Sequence, residues 1–164
     1  MRIDGGRVAL ESISPELARR IIARDERPGD DWHPDYPFAD ELVPLRSLAE
    51  GQAPDPVFTL YLVRRTSDGL AVGGLGFFGP PDAEGRVDIG YGLIADARGA
   101  GLATAAVRAA LAVAAEHGAR TAAADTEEGN RPSQRVLEKA GMVETHRRDG
   151  LVFYSTPLLG TSAE

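Results

Sequence analysis

The chain of 164 residues contains no cysteine. That excludes a disulfide framework, thiolate metal sites and a cysteine nucleophile. No apolar run approaches the roughly 20 residues of a membrane-spanning helix, and the opening stretch MRIDGGRVAL lacks a signal-peptide core. A cytoplasmic protein is the expectation. Positive charge is also scarce: 18 lysines and arginines stand against 25 aspartates and glutamates, a net charge of -7. This balance argues against duplex nucleic acid or an anionic membrane as main partner. Any polyanion must therefore meet a local basic island. No repeat, linker or low-complexity segment divides the chain, and 43% hydrophobic residues suffice for one core. Residues 6–160 are read as one domain.

What is present is a change of period along the chain. Gly6 to Ser12 alternates weakly as a first strand, and Ser14-Pro15 offers a cap and a first-turn proline for a helix carrying Leu17, Ile21 and Ile22 inward. Residues 25–40 (DERPGDDWHPDYPFAD) read as an ordered, acid-rich loop before a helix over 40–51. VFTLYLVRR (57–65) and LAVGGLGFF (70–78) form a hairpin, and VDIGYGLI (87–94) makes it a meander. A helix with Ala103, Val107, Ala110, Leu111 and Ala114 on one face runs to Glu116 and stops at His117-Gly118. A short strand at 120–126, a helix at 130–140 capped by Asn130, and strands at 142–146 and 151–158 around an Asp149-Gly150 turn complete the chain. The order β, α, α, β, β, β, α, β, α, β, β fits an α/β domain of the mixed α+β kind: one mixed sheet with helices on both faces.

The stretch carrying chemistry is RGAGLATAAV, Arg98 to Val107. A strand ends at LIADA, and a helix opens at once behind Gly99, Ala100, Gly101, Leu102, Ala103 and Thr104. Such a turn presents unpaired amides at the positive end of the helix dipole, and the small side chains let a bulky anion touch them. Arg98 and Arg108 lie here, and no acid occurs from Ala97 to Ala115, so this is the basic island; Arg131 and Arg135 extend it. The geometry suits a phosphate or pyrophosphate, although the same glycines also serve simple turn-making and close packing. A dinucleotide fingerprint lacks its third glycine, since Thr104 follows Gly99-Ala100-Gly101, and no Gly-Lys-Ser/Thr tripeptide occurs.

Arg98, Gly101 and Ala103 after a meander, followed by a strand and a capped helix, resemble the GCN5-related N-acetyltransferase (GNAT) superfamily. The resemblance runs from about Val57 to Leu158. It is strongest in VDIGYGLIADARGAGLATAAVRAAL and in TEEGNRPSQRVLEKAGMVE, which is similar to the ribosomal-protein-alanine acetyltransferase (RimJ/RimL-like) branch. It implies a sheet opened between two parallel strands, here 87–94 and 120–126, with the pantetheine arm of acetyl-coenzyme A in the gap. Gly92, Leu93 and Ile94 would hold that arm, and an amide near Gly92 or Leu93 would stabilise negative charge on the thioester oxygen. Arg98 to Thr104 would hold the pyrophosphate, and Asn130 and Ser133 would face the cofactor.

The implied reaction is direct transfer of an acetyl group to a primary amine in a ternary complex, with no metal. The amine must lose a proton. Asp88 is the nearest acid on the central strand, where the family usually has glutamate, and is the candidate base; an ordinary solvated aspartate is the plain alternative. Many members place a tyrosine acid where Leu137 stands. Ser133 is the replacement that the N-x-x-S pattern implies, with helix capping as its alternative role, and Tyr154 is a second donor candidate. Trp32, Tyr36 and Tyr91 are the candidate acceptor-binding residues, with His33 as a further base; acid-rich walls favour a cationic amine, a small molecule or a protein N-terminus. Dimers are common in the family, so a homodimer is possible. The competing readings are a non-catalytic acyl-coenzyme A-binding module and a dinucleotide-binding domain.

Overall fold

The computed structural model describes residues 1–51 and 54–159; Gly160, the last residue of the expected domain, lies outside them. Strands β1 (Arg2–Asp4) and β2 (Val8–Ser12) lead into helix α1 (Pro15–Ala23), and a 3-10 turn at Ala39–Glu41 leads into α2 (Leu42–Glu50). The meander is β3 (Leu60–Arg65), β4 (Ala71–Phe77) and β5 (Arg86–Leu93). A second 3-10 turn (Ala95–Ala97) precedes α3 (Leu102–Glu116), followed by β6 (Thr121–Glu127), α4 (Arg131–Lys139), β7 (Val143–Arg148) and β8 (Leu151–Pro157). They form one eight-stranded sheet in the order β1-β2-β3-β4-β5-β6-β8-β7. Among the described residues, no helix is long and apolar enough to cross a membrane.

Local chemistry explains most of these boundaries. Ser14 Oγ accepts from Leu17 N at 3.0 Å and Pro15 opens α1. β3 starts at Leu60 rather than Val57 because Asp55 Oδ1 accepts from the amides of Val57 and Phe58, both at 2.8 Å, and fixes a turn there. Asp149 and Gly150 adopt φ of 55° and 80°, so the two-residue hairpin between β7 and β8 forms as expected. The added element is β1, whose three residues pair antiparallel with β2.

α1 packs on α2 over one face of the sheet, while α3 and α4 pack together over the other. α3 is buried almost all round, from Leu102 through Ala114. Its alanines let it lie close to the sheet.

The feature that positions the site is the joint between β5 and β6, the one parallel pair of strands among the described residues. They pair only from Arg86↔Thr121 to Asp88↔Ala123. From Ile89 to Leu93, β5 continues against β4 alone, and from Ala124 to Glu127, β6 continues against β8 alone. The sheet thus parts like a V whose closed end is at Asp88.

Candidate active site

The V opens into a cleft of about 1080 Å³ that runs from the 3-10 turn before α2, past Gly90–Leu93, to the first turns of α3 and α4. One end is the bare loop. Gly99 and Gly101 have φ of 85° and 79°, a left-handed backbone that disfavours any other residue. Gly101 is the N-cap of α3 and supplies no side-chain cap, so the first-turn amides are left for an outside acceptor. A side chain on Gly99 would meet nothing within 4 Å, which leaves open space for a bulky anion. These observations fit a pyrophosphate. Leu102, Ala103 and Thr104 all line the cleft, with Leu102 and Thr104 largely buried in its floor.

Arg98 has a bracing contact: its Nε donates to Leu93 O at 3.1 Å, tying the loop to the end of β5. Arg7 was not legible as a site residue, yet its Nη1 donates to Ala100 O at 2.9 Å from 93 residues away. Arg108 Nη2 reaches Lys139 O at 2.7 Å, so it clamps α3 to the end of α4 rather than lying at the loop. Arg135 and Lys139 line the cleft; Arg131 does not.

Along β5 the backbone alternates. Ile94 N donates to Val72 O at 2.9 Å, and Phe78 N donates to Asp88 O at 2.9 Å. In an antiparallel ladder this parity gives Gly90, Gly92 and Ile94 to β4, and turns the amides of Tyr91 and Leu93 toward the gap. Of the residues expected to hold a substrate in the gap, Leu93 presents its amide, whereas the amides of Gly92 and Ile94 are spent on β4. The Leu93 carbonyl is taken by Arg98.

Side chains alternate too. Tyr91 points toward α4, where its hydroxyl lies 2.8 Å from Ser133 Oγ and donates to Ser133 O at 3.2 Å. Burial raises the Tyr91 phenol pKa, partly opposed by the hydrogen bond to Ser133. Asn130 Oδ1 caps α4 by accepting from Ser133 N at 3.2 Å, which leaves Ser133 Oγ free of capping. The structure therefore brings Ser133, Asn130 and Tyr91 together with the loop, and Tyr91 stands as the partner of Ser133 rather than in a separate acceptor wall.

Other expected residues stand elsewhere. Asp88 is at the closed end of the V, outside the cleft, with Oδ1 held by Arg86 Nη2 at 2.9 Å. Trp32 and Tyr36 are 6% and 2% exposed and belong to the core rather than the cleft wall. Three acids of their loop are engaged locally: Arg20 pairs with Asp30, Arg27 with Asp25, and Glu26 accepts from Trp32 N, while Trp32 Nε1 and the Tyr36 hydroxyl are buried without a partner among the described residues. His33 Nε2 meets Asp96 at 3.2 Å, away from the cleft. Tyr154 is buried and donates to Glu138 at 3.2 Å, and Leu137 is core.

The wall that Trp32 and Tyr36 leave vacant is built by the next segment, Phe38, Glu41, Val43, Pro44 and Leu48. Glu41 is 5% exposed and its Oε2 has no hydrogen-bond partner among the described residues. Burial, with a smaller contribution from Asp40, pushes its carboxyl up from 4.5 to about 7. Neither its burial nor its isolation was visible in the sequence, although the glycines of the GGLG and GYG runs signalled a close approach at β4 and β5.

A split mixed sheet with an uncapped glycine loop at the mouth of the split and a hydroxyl pair across it is the arrangement that the resemblance to acyl-group transferases implies. The family follows from comparison. The model of the acetyltransferase (GNAT) domain matches residues 7–143, so the chain belongs to the GNAT acetyltransferase family. No curated protein matches it in sequence. Solved structures with the same fold include a GNAT-family acetyltransferase from Bacillus anthracis, 18% identical with a TM-score of 0.69, covering 96% of this chain and 98% of that one. A RimL ribosomal L7/L12 alpha-N-protein acetyltransferase in complex with coenzyme A is 14% identical, TM-score 0.68, covering 96% and 98%. RimJ of Mycobacterium smegmatis in complex with CoA-disulfide is 21% identical, TM-score 0.62, covering 95% and 84%.

Proposed function

We propose that this acetyltransferase moves an acetyl group from acetyl-coenzyme A to a primary amine by direct attack in a ternary complex, in the cytoplasm. The observation that carries this reading is the parted β5–β6 joint, with the Tyr91–Ser133 hydroxyl pair on one side of it and the bare Gly99–Thr104 loop at its mouth. The absence of cysteine supports direct transfer, because no thiol is available to carry the acyl group.

In this reading the α3 first-turn amides, Arg98 and Arg135 hold the pyrophosphate, and Asn130 and Ala103 flank the arm. The thioester supplies an activated acyl carbon and a thiolate leaving group. The Leu93 amide donates to the acyl oxygen as negative charge develops there. Tyr91 orients Ser133, and the Ser133 hydroxyl donates a proton toward the departing sulfur.

Thiol release with a panel of amines tests the proposal: release must require both acetyl-coenzyme A and an amine. Binding of coenzyme A with no release for any amine would make the chain an acyl-coenzyme A-binding module instead. Ser133→Ala should lower kcat far more than acetyl-coenzyme A affinity; a wild-type kcat would leave Ser133 without a proton-donating role.

A further inference from the structure

We propose that Glu41 receives the acceptor as its ammonium and takes its proton, and that the acceptor is a primary monoamine on an apolar body rather than a polyamine or an aminosugar. This rests on the acetyl-transfer reading above and names the substrate class of that site.

Glu41 sits where a carboxylate is expensive to keep. It ends the 3-10 turn before α2, is 5% exposed, and its Oε2 is unpartnered among the described residues. An ionised carboxylate buried without a partner is strongly unfavourable. The sheet opposite it is cut back at one point to make room: a Cβ on Gly74 would overlap Oε2, while the bare Gly92 beside it accommodates the Phe38 ring and lies in ordinary contact range of Oε1. Gly92 also adjoins Leu93, whose amide faces the gap. The carboxylate is therefore held over the reacting stretch of β5, on the face opposite Tyr91 and Ser133. An ammonium entering from this face would supply the missing partner.

The cleft wall around it selects the rest of the molecule. Phe38, Phe58, Leu48 and Pro44 line it, and Val43 and Phe78 stand 68% and 74% exposed at its rim. Exposed apolar side chains beside a concave site mark a surface that an apolar ligand covers. Of the other two acids of the lining, Asp40 is exposed to water, and Asp55 Oδ1 already accepts from the amides of Val57 and Phe58, so Glu41 is the one buried carboxylate without a partner among the described residues. The other end of the cleft carries Arg98, Arg135 and Lys139, which face the cofactor phosphates in this reading and offer no carboxylate for a second cation. One buried carboxylate in an apolar wall matches one ammonium on an apolar body.

The step balances. The ammonium gives one proton to Glu41, which releases it to solvent as the product leaves; the amine nitrogen bonds to the acyl carbon as the carbon–sulfur bond breaks; and the second proton shed by that nitrogen restores the Ser133 hydroxyl that protonates the thiolate. The titratable groups facing Glu41 are Asp40, beside it in the turn, and Tyr36, below it in the core; β4 and β5 offer it only glycine. Its carboxyl, raised to about 7, must be ionised to accept a proton, so activity rises with pH through that value.

The test uses the full chain with acetyl-coenzyme A, and 2-phenylethylamine, a peptide with an N-terminal phenylalanine and spermidine as acceptors. One or both apolar amines should exceed spermidine by about 10-fold or more in kcat/KM, and the pair distinguishes a small amine from a protein N-terminus. Glu41→Gln should lower kcat by about 100-fold or more and abolish the acid limb near pH 7, with acetyl-coenzyme A affinity unchanged by calorimetry. Glu41→Asp, which withdraws the carboxylate by one methylene, should lose rate but keep an acid limb. Without any ligand, the melting temperature of the wild type should fall relative to Glu41→Gln as pH rises from about 4.5 to 7. An unchanged pH profile in Glu41→Gln, or a preference for spermidine, overturns this inference and leaves the acetyltransferase reading standing. Transfer to no amine overturns both.

Discussion

The two faces of the parted sheet are built by opposite means. On the α4 face the polar groups are satisfied before any ligand arrives: Asn130 caps Ser133, and Tyr91 holds the Ser133 hydroxyl. On the α2 face a carboxylate is buried with an oxygen unpartnered among phenylalanines and glycines. A leaving thiolate needs a proton donor whose position is fixed in advance. An incoming amine needs a site that is incomplete until it binds, because a carboxylate already paired with arginine would neither attract an ammonium nor hold a proton near neutral pH. The contrast is thus one of timing: one face is ready, and the other is completed by its substrate.

The sharpest way to break the contrast is to fill the space above Glu41. Gly74→Ala places a methyl where Oε2 now lies, and the flexible carboxylate, rather than the backbone, should give way. We expect a loss of kcat of about 10²- to 10³-fold with acetyl-coenzyme A affinity intact. Unchanged turnover would show that the carboxylate position does not matter. On the other face, Tyr91→Phe and Ser133→Ala should each cost about 10²-fold in kcat, and the double variant little more, because the two hydroxyls act as one unit. Fully multiplicative losses would separate them. Gly101→Asp puts a negative charge and a strained φ into the loop, and should weaken acetyl-coenzyme A about 10- to 30-fold by calorimetry.

Stability reports on the α2 face alone. A carboxyl displaced upward from 4.5 to about 7 is bound to its proton more tightly in the folded chain than in the unfolded one. Folding stability is therefore highest below about pH 4.5 on this account and falls as pH rises to 7, by about 3 kcal/mol in all. Glu41→Gln should be the more stable protein at pH 8 by up to that amount, and the advantage should vanish near pH 5. A difference that does not change between those pH values would mean that Glu41 is ionised without cost.

The same contrast explains what was legible in the sequence. The ready face and the loop are made of local signals. Asn130 and Ser133 are three residues apart, the glycines at 99 and 101 announce their own backbone angles, and Asp149-Gly150 announces its hairpin. The α2 face is made of contacts that no local pattern carries. Glu41 meets glycines from two distant strands, and nothing in DELVPL distinguishes it from Asp40. Arg7 reaches the loop across 93 residues. The acid-rich loop read as a wall for cations because its answering arginines, Arg20 and Arg64, lie on other elements: Arg20 pairs with Asp30, and Arg64 donates to the carbonyls of Asp30 and Asp31. Held by these contacts, the loop carries Trp32 and Tyr36 into the core.

The smallest effect is expected at Asp88, and it tests the same contrast from the closed end of the V. Asp88 shares its side of β5 with Gly90 and Gly92, which is why alternation nominates it as base. Yet it stands level with Ala123, at the last pair before the strands part, so no substrate can enter beside it. Its carboxylate is 48% exposed and paired with Arg86, an ion pair of the kind that contributes little. Asp88→Asn should leave kcat/KM within about 2-fold, the acid limb in place and stability within about 0.5 kcal/mol. Loss of the acid limb in this variant, with Glu41→Gln retaining it, would move the proton acceptor from the α2 face to the closed end of the joint and require the strands to part further than Ile89.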